Sequence, residues 1–232
     1  MKKLSALIML LVVCLTASAQ YTPSPEIIKA RKEFQDNKFG IYIHWGLYSM
    51  LGNGEWVMSN RNINYKEYTH LADGFYPSKF NAEEWVKAFK AAGAKYITFT
   101  TRHHDGFSMF KTTANNYNIV DGTPFHRDVL KELADACQKY GIKLNLYYSH
   151  VDWSRPDYPQ GWSGTGVGKP TNQADYDHYL AFMKHQLTEL LTNYGPIGAI
   201  WFDGYWDQKN NPNFDWKLDE QYSLIHRLQP GC

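Results

Sequence analysis

The chain has 232 residues, with 24 Lys+Arg against 23 Asp+Glu and a formal net charge of +1. That balance excludes the marked basic excess of a nucleic-acid binder or a polybasic membrane-surface protein, and 44% hydrophobic residues exclude disorder. Aromatic residues reach 16%, with 8 Trp, 17 Tyr and 12 Phe, and without a basic excess their faces suit sugars better than bases.

The first segment, MKKLSALIMLLVVCLTASAQ, has Lys2 and Lys3, an apolar run from Leu4 to Leu15, and the small residues Ala17, Ser18 and Ala19. This is the pattern of an export signal, with cleavage expected after Ala19. The apolar run is too short to span a membrane, and the Leu-Val-Val before Cys14 lacks the small residue that lipid attachment at Cys14 requires. The expectation is therefore a signal peptide at 1–19 and an exported remainder, 20–232, that is periplasmic or secreted and has no membrane span. Export permits disulfides, yet only Cys137 and Cys232 remain, and they are read as a buried thiol and a terminal one.

Phe39-Gly-Ile-Tyr-Ile-His-Trp-Gly46 reads as a first strand. Beyond residue 80 a helix, a glycine and a strand recur. Asn81 is placed to cap a helix, with Glu84 three residues on and an apolar stripe of Trp85, Ala88, Phe89 and Ala92 before Gly93. The strand Lys95–Thr101 follows. A helix near 127–140, Gly141 and the strand Ile142–Ser149 form the second round. A helix near 174–194, Gly195-Pro196 and the strand Ile197–Asp203 form the third, and a last helix spans about 217–228.

Strands separated by long helices run parallel, joined by right-handed crossovers. Polar and aromatic residues gather just after each strand, where parallel α/β folds build their sites. No Gly-rich phosphate-binding fingerprint follows the first strand, so the expected fold is a (β/α)₈ TIM-barrel-like catalytic domain rather than a nucleotide-binding one. The stopping glycines lie about 50 residues apart, and eight such units need on the order of 400 residues. Residues 20–232 are thus expected to hold about the first four βα units, the N-terminal half of a glycoside hydrolase barrel.

Asp203 closes an otherwise apolar strand, with Trp201 on the same side and Phe202 opposite. Gly204 is read as leaving room for a ligand to approach. Asp105, Asp152 and Asp207 follow turns and are read as structural. His103 and His104 are adjacent, so both reach one ligand only if the strand has ended or bulged there. That adjacency also lacks the H-x-H or H-x-x-x-H spacing of metal ligands, and no metal or cofactor is expected. Neutral imidazoles, His44 included, are good partners for sugar hydroxyls.

The strings FGIYIHWG at 39–46, GEW at 54–56, TRHHDGF at 101–107, LYYS at 146–149 and IWFDGYW at 200–206 together resemble the α-L-fucosidases of glycoside hydrolase family 29. The resemblance implies an exo-acting, retaining, metal-free hydrolysis of terminal α-L-fucosyl linkages, with a fucosylated oligosaccharide or glycoconjugate as partner. It implies Asp203 as the nucleophile. It implies His44, His103, His104, Tyr147 and Trp201 in the fucose pocket, joined by Glu55 and Trp56 from a more variable loop. The family's acid/base carboxylate lies downstream of the nucleophile strand, so the 232-residue chain is expected to show little or no activity alone. The alternatives are a catalytically inactive fucose-binding module and a metal-dependent hydrolase on the same fold.

Overall fold

A computed structural model of the chain describes residues 22–232. The expected export signal at 1–19 lies outside the described residues. Helix α1 (Pro25–Asn37) comes first, capped by the Ser24 hydroxyl on the Ile27 N–H. It has no counterpart among the elements read from the sequence, because only Ile27 of it is buried and no apolar stripe marks it.

Strands β1 (Gly40–Ile43), β2 (Tyr96–Arg102), β3 (Lys143–Ser149) and β4 (Ile200–Asp203) form one parallel sheet in the order β1-β2-β3-β4. Between β1 and β2 lie two short helices, α2 (Val57–Asn60) and α3 (Tyr65–Thr69), and the longer α4 (Ala82–Ala91). Helices α5 (Val129–Tyr140) and α6 (Tyr176–Asn193) make the next two crossovers, and α7 (Leu218–Leu228) follows β4. The helix starts follow the capping logic. Asn81, Asp128 and Asp175 each accept the backbone N–H three residues on, at 3.2, 3.0 and 3.0 Å. Gly141 closes α5 in the left-handed region at φ 68°.

Two strands are shorter than expected. β1 stops at Ile43, so His44, Trp45 and Gly46 leave the sheet and lead into a 3₁₀ turn at Leu47–Leu51. β4 proper begins at Ile200, although Gly198 and Ala199 already bond β3, the Gly198 N–H to the Leu144 carbonyl at 2.8 Å and the Leu146 N–H to the Ala199 carbonyl at 2.9 Å; the Ile197 N–H goes to the Gln229 side chain at 2.8 Å.

Alternation divides the sheet into two faces. Ile97, Phe99, Leu144, Leu146 and Tyr148 point to the helices and share one buried cluster with Leu130, Leu133, Leu187 and Leu190. Burial of each such side chain stabilises the fold by about 1.5–3 kcal/mol. Cys137 joins this cluster, and burial pushes its thiol up to about 12, so it is inert; it and Cys232 are both free. The other face carries Tyr42, Thr98, Asn145, Tyr147, Trp201 and Asp203. Tyr42 is 45% and Trp201 50% exposed, so this face is open. Among the described residues β1 and β4 are each paired on one side only.

One irregularity positions the site. Thr100 pairs with Tyr147, but Arg102 pairs with Tyr148, so β2 carries one extra residue there. The bulge reverses the alternation. Arg102 turns to the helix side, against the rings of Tyr148, Tyr179 and Phe182. The strand ends at Arg102, and beyond it His103 turns to the open face against Tyr147.

Candidate active site at the strand ends

Asp203 is the last residue of β4, and three donors fix its carboxylate. Tyr147 Oη donates to Oδ2 at 2.9 Å, while the Gly204 N–H and Trp206 Nε1 donate to Oδ1 at 2.7 and 3.1 Å. Gly204 acts differently from the sequence expectation. It sits at φ 103°, and a Cβ there would meet Val151 Cγ2 at 2.5 Å, so glycine is required by a tight turn rather than by a ligand's approach.

His104 is held between Ser149 and Asp203. Ser149 Oγ accepts the Val151 N–H at 2.9 Å and lies 2.8 Å from the Val151 carbonyl and 2.6 Å from His104 Nδ1, so its one proton can go to either. His104 Nε2 has no hydrogen-bond partner and faces Asp203 Oδ2 at 3.5 Å. With the hydroxyl proton on Nδ1, Nε2 carries the imidazole N–H towards the carboxylate.

His103 lies beside His104 with ring centroids 4.2 Å apart, stacks on Tyr147 at 5.3 Å, and leaves Nδ1 without a partner. His44 packs edge-on to His103 at 5.3 Å and stacks on Tyr42 at 4.9 Å. Trp201 packs on Tyr147 at 5.2 Å with half its surface open. From the α2 side, Trp56 approaches His104 at 5.4 Å and Trp206 at 5.2 Å. Glu55 precedes it, and its charge is felt by His44 and Tyr48. The eight residues singled out in the sequence are thus brought to one region of the open face.

Burial keeps the imidazoles neutral. His103 is held well below the ordinary histidine value by burial and then by its neighbouring histidines. His104 falls to about 3 through burial and the Arg102 charge. His150, on the helix side against Phe202 and Gln221, falls to about 4, again mainly by burial. In the unfolded chain each takes a proton near 6.5, so the unfolded state binds more protons in acid. Their contribution is intact above about pH 6.5 and declines as pH falls towards their folded values. Asp105, raised to about 6 by burial, acts oppositely, since its contribution is present at low pH and lost as pH rises through 6. Three histidines outweigh one carboxyl, so the thermal midpoint is expected to fall steadily from pH 7 to 4.5. A flat profile in a calorimetric pH series would contradict buried neutral imidazoles.

The three aspartates read as structural have structural partners. Asp105 accepts Tyr68 Oη at 3.0 Å and the Phe107 N–H at 3.2 Å. Asp152 forms a buried ion pair with Arg102. Asp207 receives Tyr158 and Ser163. Two site residues escaped sequence reasoning. Tyr42 lies two residues before His44 on the same strand face, and Trp206 lies three after Asp203 beyond the glycine turn; both positions were available as signals.

The spacing argument against metal ligation fails geometrically. Ligand atoms of His103, His104 and Asp203 all lie within 4.8 Å of one another, because the bulge and strand end let adjacent histidines converge. Such a group suits a divalent cation, bound by lone pairs, or a sugar hydroxyl, which accepts from an imidazole N–H and donates to the carboxylate.

Fold and site together define a parallel α/β protein whose acidic, imidazole- and aromatic-lined site lies at the C-terminal edge of its sheet. A family model described as Alpha-L-fucosidase matches residues 9–232. The chain is 30% identical to the tissue alpha-L-fucosidase of Rattus norvegicus, covering 95% of this chain and 51% of the relative. It is 32% identical to the alpha-L-fucosidase of Dictyostelium discoideum, covering 97% and 52%. Among solved structures, alpha-L-fucosidase isoenzyme 1 of Paenibacillus thiaminolyticus superposes with a TM-score of 0.80 at 37% identity, covering 89% of this chain and 49% of that one. A family 29 alpha-L-fucosidase of Bacteroides thetaiotaomicron, trapped as a covalent intermediate with 2-fluoro-fucosyl fluoride, gives a TM-score of 0.76 at 35% identity, covering 88% and 47%. The protein belongs to the alpha-L-fucosidase family, glycoside hydrolase family 29. The chain spans about half the length of the curated relatives it matches.

Proposed function

We propose that this chain carries the fucose site and the nucleophile of an exported, retaining α-L-fucosidase, and forms the first four βα units of a (β/α)₈ barrel. The observation that carries this reading is the Asp203 carboxylate, fixed by Tyr147, Gly204 and Trp206 and faced by His104 Nε2, which has no hydrogen-bond partner. A fucose hydroxyl between them accepts from the His104 Nε2–H and donates to Asp203 Oδ2, and Trp201 offers an open ring to the apolar face of the sugar. The covalent intermediate of the Bacteroides relative supports the chemistry. Asp203 attacks the anomeric carbon as the bond to the leaving oxygen breaks, and that oxygen takes a proton from an acid. Water, deprotonated by the same group, then releases fucose and regenerates Asp203.

The acid/base is assigned, by family resemblance, to a carboxylate downstream of β4. The 232-residue chain alone is therefore expected to bind L-fucose but to release nitrophenol from an aryl α-L-fucoside at or near background. Failure to bind fucose in calorimetry overturns the proposal; full turnover overturns the assignment of the acid/base. A chelator is expected to leave binding unchanged, and its loss would favour a metal at His103, His104 and Asp203.

A second reading, a fucose-binding module without catalysis, draws on the absence of a second carboxyl in contact with Asp203 among the described residues. Fucose binding without covalent labelling of Asp203 by an activated fucoside supports it.

A further inference from the structure

His104 faces Asp203 with one ring nitrogen and rests the other on Ser149, the last residue of β3. Both residues are fully buried. Ser149 Oγ has three neighbours: the Val151 N–H at 2.9 Å, the Val151 carbonyl at 2.8 Å and His104 Nδ1 at 2.6 Å. The Ser149 carbonyl accepts Arg102 at 3.1 Å, so the backbone that carries this hydroxyl is held from the helix side.

One hydroxyl proton and two acceptors allow two arrangements. With that proton on the Val151 carbonyl, His104 Nδ1–H donates to Ser149 Oγ, and Nε2 turns a lone pair towards Asp203 Oδ2 at 3.5 Å. With it on Nδ1, Nε2 carries the N–H towards Oδ2, and the Val151 carbonyl gives up its donor. The first sets a lone pair against an ionised acceptor, on a nitrogen closed to solvent. The second forgoes one neutral hydrogen bond. Interactions with an ionised acceptor are roughly twice as strong as neutral ones, so the second prevails. The shorter of the two contacts, 2.6 Å, is also the one to Nδ1.

We propose that Ser149 is a positioning residue of this site: its hydroxyl donates to His104 Nδ1, pins the ring and keeps Nε2 as the donor to the ligand. This role rests on the fucose reading of the pocket, in which a sugar hydroxyl accepts from Nε2–H and donates to Asp203. Removing the serine hydroxyl leaves Nδ1 buried without a donor, and the ring loses what orients it.

The test combines NMR of the chain labelled in its histidine nitrogens with calorimetry. His104, assigned by the signals lost in His104→Gln, is expected to be protonated at Nε2 with Nδ1 as an acceptor. Protonation at Nδ1 overturns the proposal and leaves the fucose reading standing. Ser149→Ala is expected to bind L-fucose about tenfold more weakly, the worth of one hydrogen bond, and Ser149→Thr to recover most of the loss. Unchanged affinity in Ser149→Ala overturns the role. In a His104→Ala background, Ser149→Ala is expected to cost nothing further, because the serine acts through the imidazole. The same tenfold loss there assigns Ser149 to the Val151 turn alone and overturns the proposal. A parent chain that does not bind fucose overturns the fucose reading and the positioning role with it. Circular dichroism of each variant separates these outcomes from unfolding.

Discussion

Asp203→Asn is expected to abolish covalent labelling of the chain by 2-fluoro-fucosyl fluoride, with the labelling rate falling by at least a factor of about a thousand, or ~4 kcal/mol of barrier. Fluoride leaves without protonation, so the reaction isolates the nucleophile from any acid/base. Asn keeps Oδ1 for the Gly204 N–H and Trp206 Nε1, so the turn after β4 survives the change. It replaces Oδ2, the oxygen held by Tyr147 and aimed at the pocket, with a non-nucleophilic amide. Intact mass should show one fucosyl adduct on the parent chain and none on the variant, and peptide mapping should place it at Asp203. An adduct on another residue, or equal labelling of the variant, would remove Asp203 from the proposed role.

The second large effect concerns stability. Arg102 is fully buried and joins the ends of β2 and β3, donating to the Ser149 carbonyl at 3.1 Å, to Tyr179 Oη at 3.1 Å and to Asp152. Burial opposes its charge, but the surrounding tyrosines and Asp152 more than offset this and hold it well above its ordinary value. For Asp152, burial alone would raise the carboxyl; Arg102, Ser154 and Arg155 bring it below the usual range. Arg102→Leu leaves that carboxylate buried without its main partner, and the expected cost is about 3–5 kcal/mol. That is a large fraction of an ordinary domain's stability, so urea unfolding should shift markedly or the variant should be unfolded at the outset. A loss below about 1 kcal/mol would show that the pair contributes little. Adding Asp152→Asn to Arg102→Leu should recover part of the loss, because it removes the stranded charge.

Much of the fold was legible because its signals are local. The capping residues Asn81, Asp128 and Asp175 and the glycine at 141 are short-range devices, and helices α4 to α7 fall within a few residues of their expected bounds. Helix α1 was not legible, since it buries almost nothing. The strand bounds were less so, because a ladder ends where a competing partner appears, as the Thr100 hydroxyl does for the Trp45 N–H just past β1.

The sequence by itself determined the repeated helix–strand unit, the apolar outward face of each strand, and the placing of Asp203 and Trp201 together at the end of β4, because a period of two or 3.6 is written in neighbouring residues. Only the tertiary structure decided how His103 and His104 converge. The extra residue in β2 between Thr100 and Arg102 reverses the alternation, sending Arg102 to its buried partners and His103 to the open face. A bulge depends on pairing with β3, some 45 residues away, so no local pattern announces it. The same holds for the His104 ring, aimed at Asp203 by a serine that meets it only in the folded chain.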